Sequence, residues 1–378
     1  MKSRLIRSYL LAAAIVCVTL CVAYFSDRNC YTPQPVAVYE NSSSLTHTAI
    51  VPAFDTPMPK GKNVIWCASF QLAWDKLAED VLHGPVELAD APECASHLNK
   101  GQFTEADLPA NGYLAMAGLC RDGIAQKILD EMQRRFRRQP KFDVSNPFNV
   151  IIAYAYLEAS VPFTVPYCQC HGQISFRDSN GTGTQVAFFG TSDAYGHLEV
   201  LLRDQFRILY CSLNKERRLD EFVIDPCQTS QPNQIILACV RPASTLAETW
   251  QRVESLTTNF ARNPKQRKPN DLDNLLVPDM AWDITHSFAE LQGKELLNKG
   301  FDNLFIASAQ QAIRLRLDRG GAELRSETRV AVKSVDDGQV FIFDRPFFIF
   351  IKKRDGKKPF FAMYVDNAEL LQKWKAEE

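Results

Sequence analysis

At 378 residues and 46% hydrophobic content, the chain is long enough to bury a full core within one large domain. Its 43 Lys and Arg residues against 44 Asp and Glu leave a net charge of -1. That balance excludes a global field drawing the protein to nucleic acid or to an anionic membrane, so any charge-driven partner must be local.

The first element is the apolar run Tyr9 to Phe25, 17 residues preceded by Lys2, Arg4 and Arg7. It reads as an export signal or a membrane anchor, just long enough to span a bilayer. Cleavage signals near its end are poor: "CVA" at Cys21 to Ala23, and a lipobox-like "VTLC" with Leu20 where a small residue is wanted. A retained anchor over 1–26, basic end in the cytoplasm, is therefore the expectation, with a cleaved signal as the alternative. Two of the 11 cysteines lie in this run. Of the rest, Cys67, Cys211 and Cys239 sit in apolar stretches, where cysteine behaves as a small buried hydrophobe.

Residues 27–62, with "TPQP", "NSSS" and "PMPKGK", read as a flexible linker, and the folded part is expected from Asn63. "NVIWCASFQLAWDKLAEDVL" is apolar at helical spacing, and "GIAQKILDEMQRRFRRQ" is a clearer amphipathic helix. After Pro147 the runs "FNVIIAYAYLEASVPFTVPY", "TQVAFFG", "FRILYCSL", "DEFVIDP" and "QIILACV" are short and β-like, broken by Gly, Pro and Asn. Helical spacing returns in "STLAETWQRVESLTTNF" and "SFAELQGKELLNKGF", and the remainder is strands up to a tail at 371–378. Mixed rather than alternating order argues for an α+β fold.

Few motifs carry chemistry. "CQCH" at Cys168 to His171 offers soft ligands, but a structural zinc needs four and no second pair completes it, so no metal or cofactor is expected. "SNGTGT" lacks the lysine of a phosphate loop and reads as a turn, and the arginines of Arg134 to Arg138 read as a solvated helix face. No nucleophile elbow, metalloprotease motif or Cys/His pair points to an enzyme.

"RGGAELRSETRVAVKSV" says more. Ala322, Leu324, Ser326, Thr328, Val330 and Val332 are small or apolar, and the alternate positions Glu323, Arg325, Glu327, Arg329 and Lys333 are charged. This is the period-two pattern of a strand with one buried and one wet face. One reading is a local hairpin turning at Asp337-Gly338 into "QVFIFD".

The other follows from a resemblance. "LRLDRGGAELRSETRVAVKSV" together with "FIFDRPFFIFIKKRDGKKPFFAMYV" resembles the C-terminal region of serpins. "GAE" at Gly321 to Glu323 is similar to the family's hinge, Phe343 to Ile351 to the strand after its reactive loop, and the spacing from Gly321 to Phe347 suits a full-length loop. Weaker similarity reaches back to Asn63. The resemblance implies a serpin-like α+β domain over 63–370: a large central, mostly antiparallel or mixed sheet, two further sheets and surrounding helices. It also implies an exposed loop that is cut by a serine or cysteine endopeptidase and slides into the main sheet. Gly321, Ala322, Glu323, Leu324, Ser326 and Thr328 would form the hinge. The cut bond would be Val335–Asp336, or Lys333–Ser334 for a trypsin-like enzyme. The chain departs from the family's inhibitors at Arg319, at the bulky and charged Leu324-Arg325-Ser326-Glu327, and at Gln311, which matches the family's shutter histidine. The expected protein is a monomeric, non-enzymatic inhibitor with an endopeptidase as partner, no nucleic acid and a membrane contact only through its N-terminal segment. It would be exported, either anchored or secreted. The alternative is a binding module on the same scaffold whose loop stays fixed.

Overall fold

A computed structural model describes residues 36–101, 103–137, 139–140, 150–216, 218–262, 273–301, 303–322 and 340–374. In chain order the early elements are β1 (Ala37–Tyr39), β2 (Thr48–Ile50), β3 (Asn63–Cys67), helices α1 (Ser69–Lys76) and α2 (Glu93–Leu98), β4 (Tyr113–Leu119) and α3 (Ile124–Phe136). Then come β5 (Ile151–Leu157), β6 (Val161–Pro162), β7 (Cys168–Arg177), β8 (Gly183–Gly190), α4 (His197–Gln205), β9 (Arg207–Leu213), β10 (Leu219–Asp225), β11 (Asn233–Cys239) and α5 (Leu246–Ala261). The last part is β12 (Asn274–Pro278), β13 (Met280–Ser287), β14 (Gln310–Asp318), β15 (Gly321–Ala322), β16 (Val340–Ile342), β17 (Phe347–Lys353) and β18 (Pro359–Val365).

The strands form the expected α+β architecture in four sheets. One has the order β1-β13-β14-β15-β6 and another is the pair β4-β5. A seven-stranded sheet, β2-β3-β18-β17-β11-β10-β9, and a four-stranded one, β16-β12-β8-β7, complete the molecule. Most pairings are antiparallel, but β1 with β13, β2 with β3 and β12 with β16 run parallel. β17 and β18 are buried along most of their length, which is why "FFIFI" and "FFAMYV" are continuous apolar runs without alternation. Around them Phe222, Phe341, Phe343 and Phe347 stack edge to face at centroid distances of 5.0 to 5.5 Å. Each such ring contributes roughly 1.5–3 kcal/mol through burial.

Four local expectations need correction. The segment expected as a linker is folded from Ala37: β1 pairs with β13, β2 with β3, and Leu45, Ile50, Val51 and Ala53 are buried. Three-residue strands are too short to show a period. What holds this segment is side-chain chemistry from far along the chain. Glu369 accepts hydrogen bonds from the backbone N–H groups of Thr46 and His47, and buried Asn63 accepts from those of Asp366 and Asn367. The tail expected from 371 is likewise packed, with Leu371 buried and the N–H groups of Gln372 and Trp374 donating to Asp279 and Gln185. The domain therefore extends beyond 63–370 at both ends. Asn63–Cys67 is a strand rather than the start of a helix, since a run buried on both faces carries no period to read. Finally, Phe288 to Phe301 forms turns and bridges, not a helix, because Gly293 (φ 74°) and Gly300 (φ 89°) take left-handed conformations within it.

Candidate functional site

The first two residues expected as the hinge, Gly321 and Ala322, follow directly on the end of β14. Asp318 Oδ1 accepts from Gly320 N–H at 2.8 Å, closing a two-residue turn at Arg319-Gly320, so that Gly321 and Ala322 run back antiparallel to Asp318 and Leu317. On the other side the same two residues pair with Pro162 and Val161 of β6. The N–H groups of Phe163 and Tyr167 donate to the carbonyls of Gly320 and Arg319 at 3.0 and 2.8 Å. Gly321 is required here: its φ is 131°, and a Cβ would lie 2.4 Å from the Val161 carbonyl oxygen. Hinge residues Gly321 and Ala322 are thus buried between two strands. Glu323, Leu324, Ser326, Thr328 and the cut-bond candidates Lys333, Ser334, Val335 and Asp336 lie outside the described residues, as do Tyr9 to Phe25. No helix among the described residues is long and apolar enough to cross a membrane.

Among the described residues no strand follows β15 alongside β14. Phe288 N–H donates to the Ala309 carbonyl, so the odd-numbered residues of β14 bond to β13 and the even-numbered ones, Gln310 to Arg316, turn their backbone groups away from it. Glu158 N–H donates to Gly112, so the even-numbered residues of β5 bond to β4, and Ile151, Ala153, Ala155 and Leu157 turn theirs outward. β14 and β5 are therefore two strand edges with no strand between them among the described residues. Helix α1 packs against both, as well as against β4, and floors the gap. Gln311 ties β14 to the start of α1: its Nε2 donates to the Cys67 carbonyl at 2.9 Å and to Ser69 Oγ at 2.8 Å, while its Oε1 is buried without a hydrogen-bond partner among the described residues.

The head of the gap is polar and buried. Arg316 Nε lies 3.7 Å from Asp318 Oδ2, and Arg314 binds Asp283 at 2.7 Å. Fully buried Asp279 accepts from Gln169 Nε2 at 2.5 Å through one oxygen, and its other oxygen has no hydrogen-bond partner among the described residues. Burial pushes its carboxyl up to about 7 against the Gln169 hydrogen bond, with the Asp318 charge adding to the rise and Arg319 opposing it. The folded state then holds a proton that the unfolded chain loses near its ordinary value of 3.8. Stability from this group is fullest below that pH, falls as pH rises toward about 7 and is level beyond. Asp279→Asn keeps the acceptor for Gln169. It is expected to flatten that slope and add roughly 2–4 kcal/mol at neutral pH, read from denaturant midpoints at pH 5 and 8.

Sequence reading singled out Gly321 and Ala322 but not their surroundings. Arg316, Asp279 and Glu158 carry no motif; the one available signal was that Glu158 interrupts the apolar run from Ile151 to Val161. Cys168 and Cys170 lie two apart on β7, with Cys170 Sγ 3.2 Å from Ser192 Oγ, and no group of metal-ligating side chains forms among the described residues.

No protein-family model and no curated protein matches the sequence. Solved structures similar to it include thyroxine-binding globulin in complex with thyroxine, at 12% identity, with 81% of this chain and 93% of that one covered and a TM-score of 0.45. Human glycosylated kallistatin is similar at 14% identity, covering 82% and 92%, TM-score 0.46, and Serpin48 of the insect Tenebrio molitor at 13%, covering 81% and 92%, TM-score 0.43. The chain's own strand order, the hinge seated at Gly321–Ala322 and the strand that starts behind Phe343-Asp344-Arg345-Pro346 give it a divergent serpin-like fold.

Proposed function

We propose that this protein inhibits an endopeptidase by offering residues 323–339 as bait and, once they are cut, drawing the hinge side of the loop into the gap between β14 and β5. The observation that carries the reading is the two-sided pairing of Gly321 and Ala322 at the head of that gap, because it sets a register for everything that follows. Continued without a bulge, it places Leu324 opposite Leu315 and Ser326 opposite Ile313, both buried, and Thr328 opposite Gln311 with its unpartnered Oε1. The charged set falls on the other face. Glu323 would meet Arg316, and Arg325 would sit between Arg314, already bound to Asp283, and Glu158. Of the residues that depart from a run of small side chains, Leu324 and Arg325 thus have matching partners across the gap.

Incubation with elastase-like and trypsin-like serine proteases tests this. A covalent complex stable in detergent, with cleavage at Val335–Asp336 or Lys333–Ser334, is the expected product. Clean cleavage without complex overturns the reading and leaves a serpin-like binding module. Charge reversal across the gap refines the test: Arg325→Glu faces Glu158 with a like charge and is expected to lower the yield of complex about tenfold, as roughly 1.4 kcal/mol on the insertion barrier would do. The double variant Arg325→Glu, Glu158→Arg should restore most of it. The protein acts outside the cytoplasm, anchored or released through its N-terminal segment.

A further inference from the structure

The turn that joins β7 to β8 carries the pattern Asn-x-Thr at Asn180-Gly181-Thr182, with an acidic residue, Asp178, two positions before the asparagine. Asp178 organises the turn. Its Oδ1 accepts from the N–H groups of Asn180 and Thr182 at 2.9 and 2.7 Å, and its backbone carbonyl accepts from Gly181 N–H at 3.0 Å. These bonds use backbone groups of Asn180 and Thr182 only. Both residues are exposed, and their side chains form no hydrogen bond among the described residues. Across the surface lies Gly61, where an added Cβ would stand 3.7 Å from Asn180 Nδ2, so no side chain crowds the amide from that direction. A second such pattern, Asn41-Ser42-Ser43, is built differently. Asn41 Oδ1 accepts from Ser43 N–H at 2.9 Å, which holds its amide against its own turn, Ser42 Oγ is bound to His286 Nδ1 at 2.7 Å, and Tyr39 stands at the position that Asp178 takes in the other.

We infer that Asn180 is an N-glycosylation site, the acceptor for an oligosaccharide delivered on a lipid pyrophosphate. The inference rests on the reading that the chain leaves the cytoplasm, since this modification belongs to surface loops of exported proteins. In the transfer, Asn180 Nδ2 bonds to C1 of the first sugar, the bond from C1 to the pyrophosphate oxygen breaks, the lipid pyrophosphate leaves, and one amide proton passes to solvent. Transferases of this kind require the hydroxyl two positions after the asparagine, and some also require an acid two positions before it. Thr182 and Asp178 supply both. Whether the sugar arrives before or after folding, the folded chain must leave room for it, and an exposed amide with no bond to give up does so. The place also suits the loop. β8 spans eight residues, roughly 25 Å, with the turn at its Gly183 end, whereas β16 begins beyond its Gly190 end, because Leu276 pairs with both Gly190 and Ile342. A glycan on Asn180 therefore shields the far end of this sheet and leaves Val340, where the chain re-enters the fold, clear.

The test is translation of the full chain in vitro with rough microsomes that hold the transferase and its lipid-linked donor. Resistance to added protease reports translocation. A mass increment removed by an amide-cleaving glycosidase, which turns the linking asparagine into aspartate, reports the sugar and locates it. Protease-protected chains that show aspartate at position 180 after the glycosidase are the expected result. Asn180→Gln and Thr182→Ala should each lower the modified fraction at least tenfold, while Thr182→Ser keeps most of it and Asn41→Gln leaves it unchanged. All three positions are exposed, so none of these variants disturbs the core. Protected chains that carry no sugar, or carry it at Asn41 alone, would overturn the inference. Chains that stay open to the protease would instead overturn the export reading, and the inference with it.

Discussion

Cutting the chain once between Lys333 and Asp336 is expected to raise its thermal unfolding midpoint by about 10 °C or more. Two strand edges, β14 from Gln310 to Arg316 and β5 from Ile151 to Leu157, present backbone groups to a gap that no strand fills among the described residues. A freed loop entering from Ala322 would hydrogen-bond to both. It would also bury Leu324, Val330 and Val332, each contributing roughly 1.5–3 kcal/mol. Each kcal/mol moves the midpoint by roughly 2–4 °C in domains of 150–250 residues, and by less in a chain of this size. Calorimetry of intact and nicked protein measures the difference, with a chain cut in the exposed turn at Asn180 as control. Equal midpoints for intact and loop-cut protein would mean that the ribbon stays outside the sheet, and the inhibitor reading would fall with it.

Gly321→Val should abolish trapping while leaving the scaffold folded. Valine cannot adopt a φ of 131° without strain of roughly 1–3 kcal/mol, and its Cβ would come within 2.4 Å of the Val161 carbonyl oxygen and 2.9 Å of Phe163 N. The turn would have to leave its place between β14 and β6, giving up the bonds from Phe163 and Tyr167 to the carbonyls of Gly320 and Arg319. With no register at the head of the gap, insertion starts from an unaligned ribbon, and a one-residue slip would drive Glu323, Arg325 and Glu327 toward the buried face. The yield of detergent-stable complex should fall at least tenfold and the fraction of simply cleaved chain should rise, while the circular dichroism spectrum stays the same. Normal trapping by Gly321→Val would show that the seated hinge does not direct insertion.

Local pattern carried much of this fold because the relevant spacings are short. The amphipathic helix α3 and the buried strands β17 and β18 each announce themselves within a dozen residues. Where a segment is held by distant side chains, pattern failed. Residues 37–62 look like a linker because their stability comes from Glu369, Asn63 and Asn367, some 300 positions away for the first and last. Phe288 to Phe301 looks helical because its apolar spacing is right, and the two positive-φ glycines that break it weigh little in a periodicity.

By itself, then, the sequence determined the α+β class and the division of residues 322–333 into a small or apolar set and a charged set. Only the tertiary structure supplies the groups that those sets would meet under the proposed insertion: Gln311 and the buried side of β14 for one, Arg316 and Glu158 for the other. The reason is that a period is a property of neighbouring residues, whereas register is a relation between strands separated by more than a hundred positions, and it exists only once Gly321 is wedged against Val161 and Pro162.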